Sequence, residues 1–334
     1  MTPKPTYTLE DVAARAGVSR AQASRALRGD PGVRDETRRH VLAVAEAMDY
    51  RPNAAARALA SNNQLTIGIL IGNILNPFEA LIASACDRAL QATRYDAVLA
   101  INAQTDAEAE KAASRLIDKR IAGLILIGSP REQGLIRQIA AQVPTVYIGR
   151  DLASIGVASV STDDLLGARL ATEHLIGLGH RRIAHISGGG GAGAARREKS
   201  YRAVMAEAGL QPLVHQGHYD IDAGLDAVHQ LMALPERPSA IFAGNDLVAI
   251  GAMNRLFSLG YSVPRDVSVV GFDDIPLASS STIALSTVRQ PKDEMVARGI
   301  DMLIGRIEAA TDQVENLILA PDFVPRHSTA APAA

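Results

Sequence analysis

From Leu65 onward, short apolar runs alternate with longer amphipathic stretches, and this alternation leaves few architectures open. The apolar runs fall at 66–71, 97–101, 123–127, 145–148, 182–186, 240–242 and 267–271. Uninterrupted apolar runs of this length suit strands buried on both faces. The stretches between them, such as 77–93, 107–120, 165–178, 198–208 and 248–259, space their apolar residues for helices. A strand followed by a helix and another strand returns parallel to the first, so the pattern predicts an α/β fold of doubly wound parallel sheets. The segment is too long for one such sheet, which predicts two lobes side by side. Ligands in these folds bind at the carboxyl ends of the strands, and two lobes create a cleft.

The first sixty residues follow a different rule. Thr8 is placed as an N-cap with Asp11 three residues on, and Leu9, Val12, Ala13 and Ala16 share one helical face. Gly17 breaks that helix, and Ser19 with Gln22 gives a second capping signal. The second helix, about 19–27, exposes Arg20, Gln22, Arg25 and, just beyond it, Arg28. Two short helices joined in this way set the second where a DNA major groove can receive it. A third helix carries Val41, Val44, Ala45 and Met48 inward. Residues 1–60 hold ten basic side chains against seven acidic ones, whereas the whole chain carries a net charge of −2. A basic head on an acidic body fits nucleic-acid binding. Residues 51–64 form an alanine-rich linker after Pro52. An isolated helix shorter than about 12–15 residues is marginal in water, so this one is expected to form only when something holds it. The expected divisions are a DNA-binding domain over 1–50, a hinge over 51–64 and an effector-binding core over 65–331. Within the core, one lobe takes about 65–162 plus 289–320, and the other about 163–288 plus 321–331.

A hydrophobic share of 47% is ordinary for a globular chain. The single cysteine, Cys86, excludes an internal disulfide and sits mid-helix as a core residue. Neither a secretory leader nor an apolar run of about 18–20 residues is present, which predicts a cytoplasmic protein without a membrane partner. The eight histidines show no zinc spacing, and His215 with His218 reads as surface. No nucleophile elbow or Walker loop occurs, so the expectation is not an enzyme, with no cofactor and no metal. One motif points elsewhere. Gly188, Gly190 and Gly193 satisfy the dinucleotide-binding pattern after a predicted strand. No acidic residue ends a strand about twenty residues later, as that site requires, so a flexible loop at the cleft mouth is the preferred reading. The alternatives are a nucleotide-binding oxidoreductase and a plain solute-binding protein.

In order along the chain stand Thr8-Leu-Glu-Asp-Val-Ala-Ala-Arg-Ala-Gly-Val-Ser19, Tyr50-Arg-Pro-Asn-Ala54, Thr66-Ile-Gly-Ile-Leu70, Asn76-Pro-Phe78, Gly167-Ala-Arg-Leu-Ala-Thr-Glu-His-Leu175, Leu178-Gly-His-Arg-Arg-Ile183, Gly244-Asn-Asp246 and Val270-Gly-Phe-Asp-Asp274. Together these segments resemble the LacI/GalR (lactose/galactose repressor) family of bacterial transcription regulators, from Thr8 to about Thr329. The resemblance implies a homodimer, in some members a tetramer, bound to near-palindromic double-stranded operator DNA. It also implies a core similar to periplasmic sugar-binding proteins, with a sugar or related metabolite as effector. The expected function is an allosterically controlled repressor.

On that resemblance Arg20, Ala21 and Arg25 take base-reading positions, and an arginine fork suits guanine. Ala21 departs from the polar residue usual there and offers only apolar contact. Gln22 stands where threonine is usual; a phosphate and an adenine both remain open to it. Thr8, Ser19, Ser24, Arg28, Thr37 and Asn53 fall on the phosphate side, which positions without specifying. Leu59 is placed as a minor-groove wedge with Ala56 packed beside it, because apolar wedges unstack a base step and bend the duplex. In the core, Phe78, Arg150, Asp164, Arg197, Asn245 and Asp273 are the effector candidates. Phe78 offers a flat face for a sugar ring or a side chain for the core, and the sequence leaves both open. Asp246 and Asp274 read as helix caps or hinge bonds.

Overall fold

The structure, a computed structural model, describes residues 7–50, 65–101, 103–309 and 314–333. The chain divides into two compact units, Met1–Gln64 and Leu65–Ala334. In the first, α1 (Leu9–Arg15) starts at Thr8, whose Oγ1 accepts the Asp11 amide while the Asp11 carboxylate takes the Thr8 N–H and O–H, each at 2.8 Å. Gly17 turns the chain with φ +63°. Ser19 and Gln22 repeat the reciprocal cap at the start of α2 (Arg20–Arg28). Gly29 ends α2 in the left-handed region at φ 75°, where a side chain would be strained. α3 (Asp35–Ala47) closes the unit. Val12, Ala16, Ala23, Ala26, Val41 and Met48 form its core. The alanines on α2 let that helix sit close while its other face stays in solvent.

Among its described residues the second unit holds two six-stranded sheets. The first, in the order β11-β5-β4-β3-β1-β2, is wholly parallel: β1 (Thr66–Ile71), β2 (Asp96–Ala100), β3 (Gly123–Ile127), β4 (Thr145–Ile148), β5 (Ala158–Thr162) and β11 (Asn316–Leu319). Helices α4 (Pro77–Leu90), α5 (Asp106–Asp118) and α6 (Gln133–Ala140) connect its strands. The second sheet runs β12-β10-β9-β8-β6-β7: β6 (Ile183–Ser187), β7 (Leu213–Gln216), β8 (Ala240–Ala243), β9 (Ser268–Asp273), β10 (Ser286–Arg289) and β12 (Asp322–Val324). It is joined by α7 (Asp164–Gly177), α8 (Ala192–Glu207), α9 (Ile221–Leu231) and α10 (Asp246–Ser258), and β12 alone is antiparallel, against β10. α11 (Lys292–Ala309) follows β10 yet packs on β3, β4 and β5. The chain therefore passes between lobes three times, after β5, β10 and β11. These passages are bonded to one another: Thr162 Oγ1 donates to Gln290 Oε1 at 2.6 Å, and the Asp163 amide donates to the Leu319 carbonyl at 2.8 Å. Among the described residues no helix is long and apolar enough to cross a membrane.

Two local features differ from the sequence expectation. β5 and β10 carry no apolar run, because Ser159, Ser286 and Thr287 are buried by pairing instead of by hydrophobicity. Their hydroxyls are satisfied: Ser159 Oγ accepts from the Leu152 amide at 3.0 Å, and Thr287 Oγ1 donates to Asp246 at 2.6 Å. α8 begins at Ala192, six residues before the expected 198, so Gly193 lies in the helix and not in a flexible loop.

Candidate functional site

On α2, Ala23 and Ala26 face the core while Arg20, Ala21, Gln22 and Arg25 are exposed on the opposite side. The Arg25 side chain has no ion pair or hydrogen bond among the described residues. Arg20 Nε meets Glu10 Oε1 at 2.8 Å, with both side chains largely in solvent. Such a surface pair is worth about 0–1 kcal/mol, so Arg20 can leave it at little cost. Gln22 spends its Oε1 on the Ser19 cap, which leaves its amide nitrogen for a partner. The Thr8 and Ser19 hydroxyls already serve as caps, so their first role is to build the two helix starts. Ser24 and Thr37 are half-buried. Asn53, Ala56 and Leu59, and the side chain of Arg28, lie outside the described residues.

In the core, the carboxyl ends of both sheets face a cleft of about 200 Å³, and Phe78, Arg150, Asp164, Arg197, Asn245 and Asp273 all line it. Its second-lobe wall is organised by Arg197, which is 7% exposed. Arg197 Nε donates to Asp164 Oδ1 at 2.7 Å, Nη1 donates to the Gly244 carbonyl at 2.6 Å, and Nη1 stands 3.9 Å from Asp273 Oδ1. The guanidinium lies 3.5 Å over the Phe272 ring, with the Tyr219 ring at 5.6 Å. Asp273 ends β9 at φ 123°, a strained conformation for a residue with a side chain. Gln290 Nε2 holds its carboxylate at 2.7 Å. Burial pushes the Asp273 carboxyl well above the usual range, against the pull of Arg197 and Gln290. Asn245 caps α10 through Oδ1 at 2.9 Å, which leaves its amide nitrogen to the cleft. Asp246, by contrast, caps nothing: it accepts from Thr287 Oγ1 and from the Ile275 amide, tying β10 to the end of β9. Asp274 pairs with Arg289 at 2.7 Å and Arg326 at 2.6 Å.

Phe78 is 8% exposed, so it fills the first lobe's core and gives the cleft only an edge. The lining residues that escaped sequence reading include Glu79, Arg131, Tyr219 and Gln290. Glu79 accepts the Asn73 amide at 2.9 Å and lies so close to Gly128 that a Cβ there would overlap its carboxylate. Burial raises its carboxyl to about 7, against the Asn73 N–H and the Arg131 charge. A carboxyl raised in the folded chain adds stability below its unfolded pKa and loses that contribution as pH climbs through about 7. Glu79→Gln, neutral throughout, is therefore expected to melt close to the parent at pH 5 and several degrees above it at pH 8. An offset in Tm that stays constant with pH contradicts this.

The glycine-rich segment has a structural role that differs from phosphate binding. A Cβ on Gly188 would run into the Tyr219 ring, and the Cβ position of Gly193 lies 3.1 Å from Asp164 Oδ2. A carboxylate thus already occupies the turn of α8 where a pyrophosphate would sit. Gly188→Ala is expected to push Tyr219 out of place and weaken effector binding about tenfold or more, since overpacking shifts neighbours. Calorimetry with the full chain reads this effect; unchanged affinity shows Tyr219 to be dispensable.

Residues 8–53 match the family model described as bacterial regulatory proteins, lacI family, and residues 172–329 match a periplasmic binding protein-like domain. The ribose operon repressor of Escherichia coli (strain K12) is 37% identical over 328 residues, covering 96% of this chain and 99% of that protein. The lac repressor dimer, solved bound to operator and the anti-inducer ONPF, superposes with a TM-score of 0.86 at 26% identity, over 98% of this chain and 100% of that one. The transcriptional regulator CelR, solved with cellobiose, gives 0.73 at 32% identity, over 96% and 99%.

Proposed function

The chain belongs to the lacI family of bacterial regulatory proteins, and on that premise we propose a repressor whose hold on operator DNA is set by a small polyhydroxylated effector in the cleft. The carrying observation is one chain that combines an exposed cationic α2 face with a cleft whose deep groups are a guanidinium, two carboxylates and an amide. Hydroxyls both donate and accept, and this set offers both partners at fixed positions. The relatives' names and titles refer to ribose and cellobiose. A cleft of about 200 Å³ is smaller than the ~300–1,000 Å³ of larger ligand pockets, which favours a single ring.

Arg20, Ala21, Gln22 and Arg25 read bases; Thr8, Ser19, Ser24, Arg28, Thr37 and Asn53 address the backbone. Two copies bind a near-palindromic site, in the cytoplasm where that DNA lies. The effector acts through its different affinity for two arrangements of the lobes. The bonded series Asp273–Gln290–Thr162 runs from the cleft wall into two of the three interlobe passages. The linker that carries Ala56 and Leu59 converts that change into release or capture of DNA.

The test uses duplexes selected by the full chain from a random library, titrated with and without ribose, the other common sugars and sugar acids. A ligand-dependent change in Kd is expected for at least one. Leu59→Ala is expected to weaken operator binding at least about tenfold by loss of the wedge, with effector binding by calorimetry intact. Operator affinity indifferent both to this substitution and to every ligand rejects the reading.

A further inference from the structure

The two walls of the cleft differ in charge balance. On the second-lobe wall Arg197 faces Asp164 and Asp273. On the first-lobe wall Arg150 and Arg131 have no carboxylate ion pair among the described residues. Arg150 is half-buried at the end of β4. Its Nη1 donates to the Arg131 carbonyl at 2.6 Å, which fixes the plane of the guanidinium. The opposite edge, Nε with Nη2, meets no acceptor among the described residues, and Nε is buried from water. A buried cationic N–H left without an acceptor costs free energy, and a bound ligand group would remove that cost.

The surrounding carboxylates are engaged elsewhere. Asp106 accepts the Arg131 and Glu132 amides at 2.7 and 3.1 Å, which sets the loop carrying Arg131. Asp151, next to Arg150, lies 3.7 Å from Arg196. Glu79 takes the Asn73 amide, and burial favours its neutral form. The Nε–Nη2 edge presents two parallel N–H groups, which match the two oxygens of a carboxylate.

We propose that the effector carries a carboxylate gripped by the Nε–Nη2 edge of Arg150, with Arg131 adding its charge, so that the ligand class is a sugar acid. This deepens, and rests on, the reading of the cleft as a sugar site: hydroxyls go to the Arg197 wall and the acid group to the Arg150 wall. Calorimetry on the full chain with the matched pairs D-ribonate and D-ribose, and D-galacturonate and D-galactose, tests it. One acid is expected to bind at least about tenfold tighter than its neutral partner, as a charge-assisted bidentate contact implies. Arg150→Met is expected to bring the two within about threefold by weakening the acid alone. Arg150→Lys keeps the charge but loses the fork, and is expected to fall between. A neutral sugar that binds as tightly as its acid, or an Arg150→Met variant that weakens both alike, overturns the inference while leaving the sugar site standing. Binding by no member of either pair overturns both. Should Arg150→Met fail to fold, the ratio of acid to neutral affinity in the parent chain still decides.

Discussion

Arg25→Ala is expected to remove operator recognition and leave effector binding unchanged. Arg25 projects from the α2 face opposite the buried Ala23 and Ala26, and no described residue holds it. An arginine bidentate to guanine is worth about 1–3 kcal/mol of discrimination. In the proposed two-fold dimer each half-site loses that contact, so specific affinity should fall roughly 30-fold to 10⁴-fold. Arg25→Lys separates reading from attraction. It keeps the charge, so binding to random duplex and the slope of log Kd with log salt should stay nearly constant. It lacks the fork, so the ratio of specific to random affinity should still collapse. Arg20→Ala should act in the same direction, because the Glu10 pair it gives up is exposed and weak. Fluorescence anisotropy with selected and scrambled duplexes measures both quantities. A specific-to-random ratio that survives Arg25→Ala rules out base reading by this residue.

What was legible in the sequence is what local chemistry determines. The two capping boxes and Gly17 specify α1, the turn and α2 within about a dozen residues, so α2 could be placed without knowing the rest of the chain. The apolar runs of β1, β3 and β4 are similarly self-evident, since their burial on both faces demands continuous hydrophobicity. β5 and β10 were not legible. Their serines and threonines are buried because partners distant in sequence accept or donate, as Gln290 does for Thr162 and Asp246 does for Thr287. The candidate site divides in the same way. Arg197 and Asp273 stand in segments whose pattern marks them, yet nothing local says that they approach within 3.9 Å. Glu79 reads as an ordinary acid in the first turn of α4, and only the close approach of Gly128 makes it a buried cleft group. Tyr219 follows a short edge strand, and its place depends on the missing side chain of Gly188. Arg150 was named from its position after β4, but its free guanidinium edge depends on a carbonyl contributed by the loop after β3.

Arg197→Met should be the most damaging single change in the cleft. Arg197 is the only cation bonded to Asp164 and the nearest one to Asp273 among the described residues, and all three side chains are buried. Removing one partner of a buried pair costs about 3–5 kcal/mol, because the remaining charge is left uncompensated. The loss should appear in two measurements. Effector affinity should fall more than about a hundredfold, since the donor to the ligand and the anchor of both carboxylates disappear together. Stability should also become more dependent on pH. Burial already raises the Asp273 carboxyl while Arg197 opposes that rise, so without the guanidinium its pKa climbs further. The neutral acid is then the form the folded chain prefers, and Tm should drop more steeply than in the parent as pH rises from 5 to 8. Arg197→Lys keeps a charge but loses the simultaneous contacts to Asp164 and the Gly244 carbonyl and the stacking on Phe272, so it should recover part of the stability and little of the binding. The double variant Arg197→Met with Asp164→Leu removes both members of the closer pair, and apolar replacement of a buried pair is often neutral for stability. It should melt near the parent at pH 5, where Asp273 is protonated, keep the steeper loss of Tm toward pH 8, and still fail to bind. A single Arg197→Met variant that binds the parent's ligand within a few-fold would show that Arg197 only props up its wall of the cleft.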